Sequence, residues 1–197
     1  MEKIDLLIWS DDDVEAARTL QVPGLRTAAV SRAARLEKAP LVMGRGVALA
    51  GLAELWVDSV DVWPAILEQL RADAYLVTES VPQPVSAEPG LLTHLTWFPK
   101  PERLSDEEFF GGWHVVHTPS SAALHPRRRG YVRDAVTRTL TPGAPPVRAI
   151  VSESFVLEDY LDPARLFGGP EALKVTMDEL PLYADAADIS SCPVWKE

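Results

Sequence analysis

The order in which elements follow one another constrains this chain most. Lys3–Ser10 reads as a strand ending in a turn, and Asp11-Asp12-Asp13 then caps a short helix, Val14–Leu20, which Pro23-Gly24 breaks. Strands are expected over Leu25–Leu36 and Val47–Val57, with Gly44-Arg45-Gly46 as the turn between them. Asp58-Ser59 caps a helix over Val60–Arg71, and Ala74–Ser80 closes as a strand. The order is β-α-β-β-α-β.

A linker-like stretch with Pro82, Pro84, Pro89 and Gly90 follows, and the order begins again. Leu91–Phe98 is a strand, Ser105 to about Thr118 a helix, Tyr131–Leu140 a strand, Thr141–Pro146 a turn and Val147–Leu157 a strand. Helix is expected from Asp159 through Glu179 with an interruption at Gly168-Gly169-Pro170, and a last strand over Ser190–Val194. Ala53–Val62 parallels Ser152–Leu161, each with a Glu (Glu54, Glu153) two residues before an aromatic and an acidic helix start after it. Two β-α-β-β-α-β units are ferredoxin-like halves, each with a four-stranded antiparallel sheet that has helices on one face and must cover the other. The fold class expected is α+β, with residues 1–86 and 87–197 as two ferredoxin-like halves whose sheets face each other as a barrel within one chain. Whether such a chain stays a monomeric pseudo-dimer or pairs again as a homodimer is left open.

The formal net charge of −10 over 197 residues disfavours nucleic acid and anionic membrane surfaces as partners. Arg127-Arg128-Arg129, the one basic run, reads as a solvated loop after His125-Pro126. Cys192 is the only cysteine, so no intramolecular disulfide can form, and a cytoplasmic location fits. The acids of Met1-Glu2-Lys3-Ile4-Asp5 do not suit a signal peptide, and no run of about 18 apolar residues suggests a membrane span.

One segment carries candidate chemistry. Ser105 is a good N-cap with Glu107 and Glu108 in the first turn, and Phe109, Trp113 and His117 recur every four residues on one face. An imidazole at the end of an aromatic stripe is a candidate acid/base group at the mouth of an apolar pocket. His114 and His117 could touch one metal. A third ligand would have to come from Glu107, His125 or His94, and there is no HExxH-type spacing, so no metal site is expected and His114 is read as solvent-facing.

Leu104-Ser105-Asp106-Glu107-Glu108-Phe109, then Trp113, then His117-Thr118-Pro119, with Tyr131-Val132-Arg133 opening the next strand, resembles the EthD family of the dimeric α+β barrel superfamily. The match covers roughly Leu91–Phe167, and the first half is similar only in element order. The resemblance implies a cofactor-free protein of apolar organic metabolism in which one half is catalytic and the other is its structural mate.

On that reading His117 is the general acid or base, helped by Tyr131 as a hydrogen-bond donor to an oxyanion or by His94 as a second histidine. Phe109, Phe110, Trp113 and Trp97 are candidate substrate walls. On Leu91–Phe98, alternation puts His94, Thr96 and Phe98 on one face and Leu95 and Trp97 on the other. Arg133 and Arg138 are candidates for a substrate carboxylate, and Glu54 and Glu153 for buried acids. The first function expected is a cofactor-independent lyase, of dehydratase or cyclase type, on a small hydrophobic aromatic or polyketide-like molecule. The alternatives are a cofactor-free oxygenase of a phenolic substrate and a non-catalytic small-molecule binding protein.

Overall fold

The computed structural model describes residues 1–39 and 48–196. The turn expected at Gly44-Arg45-Gly46 and the first residue of the strand expected from Val47 lie outside the described residues.

Eight strands form a closed antiparallel barrel. They are β1 (Glu2–Ile8), β2 (Leu25–Ala33), β3 (Gly51–Val57), β4 (Ala72–Gln83), β5 (Leu91–Phe98), β6 (Gly130–Thr139), β7 (Ala149–Val156) and β8 (Ser190–Lys196). The order around the barrel is β1-β3-β2-β8-β5-β7-β6-β4. The first four strands are therefore contiguous as β4-β1-β3-β2, and the last four repeat that order as β8-β5-β7-β6. β2 pairs with β8 and β4 with β6, so each four-stranded sheet seals both edges of the other. Among the described residues, closure leaves no edge strand exposed. This is an α+β fold of two ferredoxin-like halves packed as a dimeric α+β barrel inside one chain.

Helices lie outside the barrel. The first half carries α1 (Asp11–Arg18), capped by Ser10, and α2 (Trp63–Leu67). The second half carries α3 (Asp106–Phe110), α4 (Thr118–Leu124), α5 (Leu157–Leu161), α6 (Pro163–Leu166) and α7 (Pro170–Glu179). Strand alternation divides the core into layers. On β1, Ile4, Leu6 and Ile8 face the helices in an aliphatic cluster with Val14, Ala17, Leu55 and Ile66. Leu7 faces the lumen with Tyr75, Leu95, Trp97, Val136, Ile150 and Val194.

Three local expectations change. The helix expected over Val60–Arg71 shrinks to a 3-10 turn, Val60–Val62, and α2, whose last turn ends with Gln69 and Leu70 both donating to the Ile66 carbonyl before β4 begins at Ala72. Pro82, expected in the linker, lies inside β4, where the ladder is irregular between Ser80 and Gln83 and tolerates a missing donor. The two parallel glutamates lie on opposite sheet faces: Glu54 points into the lumen, Glu153 towards the helices. The element order does repeat, but that residue match does not mark equivalent sites.

Candidate active site

The expected helix from Ser105 forms in three pieces. Ser105 and Glu108 make a reciprocal capping box that starts α3. Gly111–His117 is then π-helical, and the Thr118 N–H returns to the Trp113 carbonyl five residues back. The Thr118 hydroxyl donates to the same oxygen at 2.8 Å. Such wide turns add a residue and re-aim side chains, and they recur at functional sites. Gly112 lies against the 3-10 turn Leu180–Leu182: a Cβ there would sit 2.3 Å from the Leu182 oxygen, so only glycine allows this approach. That contact brings Tyr183 and Glu179 over the π-helical turn.

The result is a cavity of about 80 Å³ between the sheet and the helices of the second half. Thr96 and Phe98 of β5, Tyr131 of β6, and Val151 and Glu153 of β7 supply the floor, Trp113 and His117 one wall, and Leu180, Tyr183 and Ile189 the roof. Phe98, Phe109 and Trp113 meet edge-on or tilted, with ring centroids 5.7–6.4 Å apart.

His117 is buried at its lip. Its Nδ1 lies 2.9 Å from Glu179 Oε2, and Ser120 Oγ donates to the same oxygen at 2.7 Å. With a carboxylate as partner, Nδ1 carries the proton and Nε2 keeps its lone pair. Burial pushes the imidazole below its ordinary value, outweighing Glu179, so it is neutral at pH 7. The Tyr183 ring packs on it at 4.8 Å. The Tyr131 hydroxyl accepts a 3.4 Å bond from Trp113 Nε1, and burial raises its pKa, keeping it a phenol.

Glu153 takes the opposite state. Burial alone would raise its pKa, but His125 and the Arg128 guanidinium outweigh it and hold the carboxyl at about 2. Arg128 Nη1 lies 2.6 Å from Glu153 Oε1, and the guanidinium also lies over the Tyr131 ring at 4.2 Å. Arg128 is therefore buried, not part of a solvated basic loop.

Of the residues expected from sequence, His117, Tyr131 and Trp113 meet at this cavity, and Phe109 packs behind them. Phe110 stacks on Trp113 without lining the cavity. Trp97 faces the barrel lumen against Trp9, because alternation sends it to the other side of β5 from Thr96. His94 is on the helix side but beyond the cavity. It is buried, with Nδ1 3.2 Å from the Tyr160 hydroxyl, and burial lowers its pKa to about 4. His114 is half-buried against Phe110 and Trp113, not solvent-facing, and burial followed by Arg133 lowers it to about 4. His125 bonds the Leu166 carbonyl at 2.9 Å, and Arg133 donates to the Thr118 hydroxyl at 2.7 Å. No histidine joins a group of three metal-ligating side chains among the described residues. Glu179, Tyr183 and Arg128 were not legible as site residues: the first two reach the site only because Gly112 admits the Leu180–Leu182 turn.

No family model matches the sequence, and no curated protein does. Solved structures do match in fold. An anthrone oxidase-like protein aligns with 100% of this chain and 90% of its own at 12% identity and a TM-score of 0.62. A candidate monooxygenase from Lactobacillus acidophilus aligns over 99% of this chain and 92% of its own at 10% identity and a TM-score of 0.53. A second candidate monooxygenase, from Fusobacterium nucleatum, gives 99%, 90%, 8% and 0.51 for the same quantities. At these identities the likeness is one of fold. It supports the dimeric α+β barrel class and leaves EthD as a resemblance of the helix motif.

Proposed function

We propose that the second half, residues 87–197, is the catalytic half of a cofactor-independent oxygenase of a small, electron-rich aromatic molecule, and that residues 1–86 are its structural mate. The observation that carries this is the His117–Glu179 pair at 2.9 Å on the wall of an aromatic cavity. A neutral imidazole oriented by a carboxylate is a general base. His117 Nε2 takes a proton from a phenol, or from a methylene that lies between aromatic rings and is acidified by a carbonyl across the ring system. The resulting anion reduces O₂: for a methylene, the substrate CH₂ and O₂ become C=O and water, with all electrons from the substrate. In this reading the Tyr131 phenol, which lines the same cavity, donates a hydrogen bond to the developing oxyanion. The names of the neighbours in fold lean the same way, although their likeness is one of fold alone.

The cavity of about 80 Å³ is smaller than the roughly 300–1,000 Å³ of ordinary ligand pockets. An aromatic substrate therefore enters only when the roof moves. The roof follows α7, which buries no residue and begins after Gly169, whose φ of 106° is open to glycine alone.

A lyase of dehydratase or cyclase type shares the first step, with the Tyr131 phenol as the acid that protonates the leaving group. Anthrone separates the two readings. Oxygen uptake equimolar with loss of anthrone, and a quinone product by mass spectrometry, supports the oxygenase. Turnover of a hydroxylated polyketide-like analogue with loss of water and no oxygen uptake supports the lyase. Stoichiometric binding with quantitative recovery of both compounds rejects both and leaves a binding protein.

A further inference from the structure

The lumen of the barrel, on the other sheet face from the His117 cavity, holds a second polar group. Lys3 and Asp5 on β1, Glu54 on β3, Glu79 on β4 and Asp134 on β6 meet there. Lys3 Nζ lies 2.8 Å from Glu54 Oε1, 2.7 Å from Glu79 Oε2 and 2.9 Å from Asp134 Oδ2. Those three bonds use all three ammonium protons. Asp5 is 0% exposed, and its nearest cation, Lys3 Nζ, is 3.7 Å away, beyond hydrogen-bond reach. Among the described residues no N–H or O–H donor reaches either Asp5 oxygen or Asp134 Oδ1, and the Asp5 and Asp134 carboxyls lie within hydrogen-bond range of each other, a contact that needs a shared proton or a bridging cation.

One ammonium thus faces four carboxylates, and the oxygens it leaves over are buried. A buried carboxylate whose one ion pair, to Lys3 at 3.7 Å, is too long for a hydrogen bond is costly, and native structures neutralise such a group with a cation or a proton. The geometry suits a cation. One oxygen each from Asp5, Glu54 and Asp134 lie within 4.8 Å of one another. Calcium–oxygen distances of roughly 2.3–2.6 Å span such a set, the Lys3 ammonium swinging from Glu54 and Asp134 towards Glu79 as the ion enters, and hard oxygen donors select this class of ion. A cavity of about 270 Å³, lined by Glu54, Glu79, Thr93 and Ser152, opens beside the group, with room for an approaching ion and its remaining water ligands.

We propose that Asp5, Glu54 and Asp134 bind a divalent cation of the oxygen-ligand class, Ca²⁺, Mn²⁺ or Mg²⁺. Asp5 and Glu54 come from β1 and β3 of the first half and Asp134 from β6 of the second, so the ion pins the two sheets together where β4 and β6 close the barrel. This inference does not depend on the reading of the His117 cavity.

Mn²⁺ titration of the full chain after chelator treatment, followed by electron paramagnetic resonance and thermal unfolding, tests it. The expected result is one bound Mn²⁺ per chain at a dissociation constant of about 1 mM or tighter, displaced by Ca²⁺, with unfolding moved to higher temperature. Asp5→Asn and Glu54→Gln should each weaken binding at least tenfold. Glu54→Gln, at a partly exposed position, keeps the test open where Asp5→Asn does not fold. Three results overturn the proposal: Mn²⁺ remaining free over the folded wild-type chain, unchanged binding in Glu54→Gln, or a protonated-carboxyl infrared band that persists with saturating Mn²⁺ and disappears in Asp5→Asn. The last would mean that Asp5 and Asp134 share a proton instead.

Discussion

The helices of the two halves cover equivalent faces of one barrel with different chemistry. Under α1 and α2 the contact is aliphatic: Ile4, Leu6, Ile8, Val14, Ala53, Leu55 and Ile66 interlock. Under α3, the π-helical turn and α4, rings and titratable groups meet: Phe98, Trp113, Tyr131, Tyr183, His117 and Glu153. Branched aliphatic side chains interdigitate to near-crystalline density. Flat rings with polar tips meet edge-on, their tips need partners, and space is left between them. The same topology therefore carries an aliphatic layer in one half and an aromatic layer with a cavity in the other, and the choice is made by side chains and not by the strands beneath them.

That comparison breaks most sharply at Arg128. Arg128→Leu leaves Glu153 buried without its guanidinium and should cost about 3–5 kcal/mol in denaturant unfolding. Leu6→Ala in the aliphatic layer should cost a similar 2–5 kcal/mol or so, yet leave ligand binding by the folded fraction unchanged. If Leu6→Ala altered ligand binding by the folded chain, the two layers would not be functionally distinct.

His117→Gln comes next. With a folded chain by circular dichroism, turnover should fall about a hundredfold or more. Full activity in that variant would remove the histidine from the chemistry. Because burial lowers the His117 pKa, wild-type kcat/KM should hold through neutral pH and decline only below about 6.5. A decline that begins above that value would contradict a buried, neutral base.

The ionised Glu153 gives a smaller and pH-dependent effect. Its folded pKa of about 2 lies below the unfolded value near 4.3, so its contribution to stability is complete above the unfolded value and is lost as pH falls through about 2. The stability gap between wild type and Glu153→Gln should be widest at pH 7 and close across that window. A gap independent of pH would show that the carboxylate charge contributes nothing.

The smallest effect is expected at Glu179. Glu179→Gln keeps a hydrogen bond to His117 Nδ1 but loses the charge behind it, and should lower turnover by about tenfold or less. A loss as large as that of His117→Gln would make Glu179 an equal partner in the proton transfer.

The amino-acid sequence determined the element order, and with it the fold. Apolar alternation, the cap at Ser105 and the break at Pro23-Gly24 are local signals that formed close to their expected places, whereas the first helix is capped by Ser10 in place of the expected Asp11-Asp12-Asp13, which fill its first turn. The aromatic stripe Phe109-Trp113-His117 was legible for the same reason, since four-residue spacing keeps side chains on one helical face. Which way a strand faces was not legible. Glu54 and Glu153 share a sequence context and end on opposite sides of the sheet, because burial is set by how the closed barrel registers its strands. Nor could the sequence pair His117 with Glu179, Glu153 with Arg128, or Lys3 with carboxylates from three other strands. Those contacts join residues distant along the chain, and only closing the barrel and laying the helices across it brings them within the few ångströms over which hydrogen bonds and desolvated charges act.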